Sequence, residues 1–92
     1  MKPKKFKSVW DALEDTEAEA ASMRAKSELM MALCEKIESM NLTQAKAAKK
    51  LGITQPRLND LLRGRISNFS LDALFDLAYA AEITVHLKLK AA

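Results

Sequence analysis

Six amide or charged side chains crowd the twelve residues TQPRLNDLLRGR, from Thr54 to Arg65: Gln55, Arg57, Asn59, Asp60, Arg63 and Arg65. The Gln and Asn amides pair a donor with an acceptor, as the edge of adenine does, and an arginine fork matches guanine O6/N7 or a phosphate. The chemistry these types offer is hydrogen-bonded recognition, not bond breaking. A solvated helix also carries polar residues, so the elements that hold them must decide.

Other chemistries find little support. Cys34 and His86 are the single residues of their kinds, too few for a structural zinc site with three or four protein ligands, and no internal disulfide can form. Cys34 falls among Leu and Ile at helical spacing and reads as a packed thiol. The acids Asp11, Glu14, Asp15, Glu17 and Glu19 have no accompanying base, nucleophile or glycine loop. We therefore expect no catalytic residues, no metal and no cofactor.

With 92 residues, 49% hydrophobic and only two Gly and two Pro, the chain suits one small α-rich domain. Its longest apolar run, LMMALC, is far below the roughly 18 to 20 residues that span a bilayer. The basic start MKPKKFK is followed by no apolar stretch of the export type. A cytoplasmic protein is expected. Net charge is +3, unevenly placed: residues 43 to 66 hold six Lys/Arg against the single acid Asp60.

The spacing predicts three segments. Residues 1 to 26 form an arm, in which Phe6, Val9 and Trp10 are free to dock, and a short helix from Thr16 to Met23. Residues 27 to 82 carry four helices, opening at Ser27, Thr43, Thr54 and Ser70, with Gly52 and Gly64 as left-handed stops. In residues 83 to 92, Ile83, Val85, Leu87 and Leu89 alternate with polar residues as in a half-buried strand. A lone strand needs a partner for its backbone. Self-pairing across a two-fold dimer is the favoured solution, with KFKSVW or a strand from another protein as alternatives.

Two short helices meeting steeply need apolar residues at the crossing, small ones where they touch, and a positive φ in the turn. Ala47, Leu51, Ile53, Leu58 and Leu61, with Ala48 and Gly52, meet that requirement. This is the helix-turn-helix pattern. Stepping about 100° per residue from Leu58 leaves Pro56, Asp60 and Arg63 outward, Arg57 and Asn59 flanking, and Gln55 at the free end. Gln55, Pro56, Arg57, Asn59 and Asp60 become candidate base readers, Asp60 only if it accepts a hydrogen bond, for example from cytosine N4. Lys46, Lys49 and Lys50 add a diffuse positive field. Such a helix pair also occurs in proteins that never meet DNA, but spacing, capping and charge together favour DNA binding.

LTQAKAAKKLGITQPRLNDLLRGRISNFSLDAL resembles the XRE-type, Cro and phage-repressor-like helix-turn-helix proteins. That resemblance implies an all-α, five-helix domain whose third helix reads a major groove, and backbone contacts from Gln44, Thr54, Arg63 and Arg65, which Lys46 would join. The flanking organisation is similar to compact HigA-like antitoxins of type II toxin-antitoxin pairs. What it implies is a homodimeric repressor on a pseudo-palindromic operator, held by a ribonuclease-type toxin and regulating its own operon. A stand-alone XRE or phage-type regulator is the alternative.

Overall fold

The computed structural model describes residues 16–91. Four α-helices follow one another: α1 Glu17–Ser39, α2 Gln44–Leu51, α3 Gln55–Leu62 and α4 Leu71–Ala80, with a single 3-10 turn, Ile66–Asn68, between the last two. The long α1 packs against α4, α3 and the 3-10 turn, while α2 packs against α3 and α4. Among the described residues no helix is long and apolar enough to cross a membrane. The arm residues Phe6, Val9 and Trp10, and the acids Asp11, Glu14 and Asp15, lie outside the described residues.

Every helix starts on a hydroxyl. The backbone N–H groups of Glu19, Lys46, Arg57 and Ala73 donate to the side-chain oxygens of Thr16, Thr43, Thr54 and Ser70 at 3.0 to 3.2 Å, each satisfying a donor that the helix leaves unpaired. Every helix is also followed by a left-handed residue: Asn41 (φ 54), Gly52 (φ 73), Gly64 (φ 73) and Glu82 (φ 62). At three of these ends a backbone N–H reaches back five residues, Ile53 to Ala48, Arg65 to Asp60 and Ile83 to Ala78, which closes the last turn.

Met30, Leu33 and Ile37 of α1, Ala47, Ala48 and Leu51 of α2, Leu58 and Leu61 of α3, and Leu74, Leu77 and Ala78 of α4 form the core. Ile66 and Phe69 fill it from the segment between α3 and α4. The small Ala47 and Ala48, 1% and 3% exposed, let α2 and α3 approach closely.

Two expectations are corrected. The first two predicted helices are one, so the described residues form four α-helices instead of five. The boundary near Ser27 fails because Arg24, Ala25 and Lys26 are good helix formers and no Gly or Pro stops the chain there, so continuing costs less than a new start. The C-terminal strand is absent as well: residues 83–90 carry no strand. A strand exists only through a ladder, and no backbone among the described residues supplies one. The alternation instead accompanies partial burial of the start of a segment without regular secondary structure. Ile83 and Val85 pack on the core, whereas Leu87 and Leu89 are 70% and 89% exposed.

Candidate nucleic-acid interface

The turn between α2 and α3 is fixed by a left-handed glycine and a hydroxyl cap. Gly52 takes φ 73, Thr54 caps α3, and Pro56 stands in its first turn, where a missing N–H breaks no helical bond. Leu58 and Leu61 are fully buried, which fixes the rotation of α3 and turns its opposite side outward. Gln55, Pro56 and Arg63 are exposed and Asn59 is half-buried, so these four line the open side.

Polar groups around α3 divide into two sets. Gln44 and Lys46 in the first turn of α2, Thr54 at the cap of α3, and Arg63 and Arg65 after its end are all exposed. Arg57 and Asp60, one turn apart, lie on the side that faces the 3-10 turn. The Arg57 guanidinium sits 4.1 Å above the Phe69 ring, and its Nη1 donates to the backbone oxygen of Asn68 at 2.8 Å. Asp60 Oδ1 accepts from Arg65 Nη1 at 3.4 Å and Oδ2 from Asn68 Nδ2 at 3.5 Å. Asp60 is thus charge-balanced within the chain, its side chain 29% exposed.

The helix N-termini are also unequal. Acids occupy the first turns of α1 (Glu17, Glu19) and α4 (Asp72), where they offset the positive end of the helix dipole. The first turns of α2 and α3 contain none. Those two ends keep their partial positive charge for an anion such as a phosphate. Lys50 is committed elsewhere, 3.4 Å from Glu82 Oε1 beyond the end of α4.

Away from this surface, Cys34 Sγ donates to the Leu61 oxygen at 3.4 Å, and burial, with Glu38 nearby, raises its pKa above the ordinary thiol value. A raised pKa keeps the thiol protonated and is the reverse of what activates a nucleophile. His86 is exposed on the C-terminal segment.

Asn68 and Phe69 were not anticipated by sequence. ISNF has no helical or strand period, and the one usable sign is positional. Phe69 immediately precedes the Ser70 cap, where an apolar residue pairs with the fourth residue of the helix, here Leu74. Both are buried in the same core.

A family model described as a helix-turn-helix domain matches residues 12–90. Among solved structures, the chain is similar to an XRE family transcriptional regulator, with a TM-score of 0.73 and 32% sequence identity over 79% of this chain and 82% of that one. No curated protein matches it.

Proposed function

Because the chain belongs to the helix-turn-helix domain family, and within it to the XRE type, we propose that this DNA-binding transcriptional regulator is a repressor that reads its operator with α3. The observation that carries the reading is the open side of α3, Gln55, Pro56, Asn59 and Arg63, beside two helix N-termini left free of acids. Gln55 forks onto adenine N6/N7, Pro56 meets a thymine methyl, and Asn59 takes a neighbouring base edge. Gln44, Lys46, Thr54 and Arg63 grip the sugar-phosphate backbone and set the register, and Arg65 joins them through guanidinium N–H groups other than the Nη1 that meets Asp60.

A domain with one reading helix gains specificity by pairing. Two copies about a two-fold axis would place their α3 helices in successive major grooves about 34 Å apart, on a pseudo-palindromic operator. The exposed apolar residues Tyr79, Leu87 and Leu89 support a homodimer, since such surface is costly to leave in water. Selection of bound duplexes from a random pool by the full chain tests the proposal. An inverted repeat with half-sites about 10 base pairs apart is expected, and a pool that stays random overturns it.

A second role, antitoxin of a ribonuclease-type toxin, draws on the resemblance of the flanking segments and on charge. Glu17, Glu19, Glu28, Glu35 and Glu38 are all exposed on α1, an acidic surface suited to a basic enzyme. Co-purification from the native host tests it: a basic partner of similar size supports this role, and recovery of the regulator without one favours the stand-alone XRE alternative.

A further inference from the structure

We infer that Arg57 and Asp60 are positioning residues, which set the angle of α3 on the domain through Asn68 and Phe69 and leave base reading to the open side. The inference rests on the DNA-reading role proposed for α3. A side chain that reads a base must offer a free fork. The Arg57 guanidinium is instead stacked 4.1 Å from the Phe69 ring and bonded at 2.8 Å to the Asn68 oxygen. Phe69 is 1% exposed, so the surface under the cation is part of the core and cannot follow a ligand. Asp60 is held from two sides, by Arg65 Nη1 and Asn68 Nδ2.

Asn68 joins both halves of the device, taking Arg57 on its backbone oxygen and offering its amide to Asp60. The pair thereby ties the first and second turns of α3 to the segment that follows it. Helix α3 has only eight residues and two fully buried side chains, Leu58 and Leu61. Rotation about its own axis is therefore resisted on one side by apolar packing and on the other by this polar clasp. A small tilt of so short an element would move every reader on its open side together.

The test measures DNA affinity and the selected motif for the full chain and for Arg57→Ala, Arg57→Lys, Phe69→Leu and the Arg57→Ala/Phe69→Leu double variant. All measurements are made well below each melting temperature. Arg57→Ala should lose about tenfold in affinity, with the motif blurred evenly across the half-site. Arg57→Lys, which keeps a cation over the ring and a donor to the carbonyl, should recover part of that loss. Phe69→Leu should resemble Arg57→Ala, and the double variant should be little worse than either single one, because both remove the same clasp. Loss of one base preference with the rest of the motif intact, or losses that multiply in the double variant, would overturn the positioning role while leaving DNA reading in place. Failure of the unsubstituted chain to select any motif would remove both.

Discussion

The thiol of Cys34, in the C-terminal half of α1, donates to the backbone oxygen of Leu61, in the last turn of α3, at 3.4 Å. A side chain of α1 thus holds the end of α3. The bond is weak in itself, but Cys34 also packs against the core. Cys34→Ala should cost about 1 kcal/mol in denaturant unfolding. The pKa direction adds a pH dependence. The folded state favours the protonated thiol, so its contribution is complete below the ordinary thiol pKa and is lost as the pH rises through the raised value. Alkylation at neutral pH should be slower for the folded chain than for the unfolded one.

The four left-handed helix stops differ in side chain, which separates backbone strain from packing. A Cβ at Gly52 would meet nothing within 4 Å, so Gly52→Ala should cost about 1 to 2 kcal/mol through its φ of 73 alone. Glu82 already bears such strain at φ 62. Its ion pair with Lys50 is exposed, 40% and 74% on the two sides, and exposed pairs contribute about 0 to 1 kcal/mol. Glu82→Gly should therefore leave thermal stability unchanged or raise it slightly.

Loss of the Thr54 hydroxyl should act locally. Thr54 Oγ1 accepts the Arg57 N–H at 3.2 Å, and the helix it caps has eight residues. Thr54→Ala should cost about 1 kcal/mol. Thr54→Ser, which keeps the oxygen, should restore most of it in the same unfolding experiment.

Much of this architecture was legible in local chemistry. The hydroxyl caps at Thr43, Thr54 and Ser70 and the glycine stops at Gly52 and Gly64 mark α2 and α3 and the start of α4, because each satisfies a backbone demand that depends on near neighbours. What was not legible depends on partners distant in sequence. Ser27 has a cap's residue type but lies inside a helix whose neighbours keep it going. Ile83 and Val85 alternate as a strand does, yet they pack, partly buried, against the core without a strand partner among the described residues. The side of α3 on which Arg57 and Asp60 lie was within reach of a helical wheel. That this side is covered by Asn68 and Phe69 was not, because the 3-10 turn carries no period.

Arg63 is exposed beyond the last turn of α3 and has the chemistry of a phosphate contact. Arg63→Ala should weaken binding to all duplexes alike and lower the slope of log affinity against log salt by about 1. A salt titration on two unrelated duplexes checks it.

The measurement closest to the central claim is the ratio of affinities for the selected duplex and a scrambled one, for the full chain and for Gln55→Ala. Gln55 is exposed in the first turn of α3 and is free to meet a base edge. If α3 reads sequence, Gln55→Ala loses about 1 to 3 kcal/mol on the selected duplex and almost nothing on the scrambled one, so the ratio collapses. An equal loss on both duplexes, with the ratio unchanged, would contradict base reading by this helix.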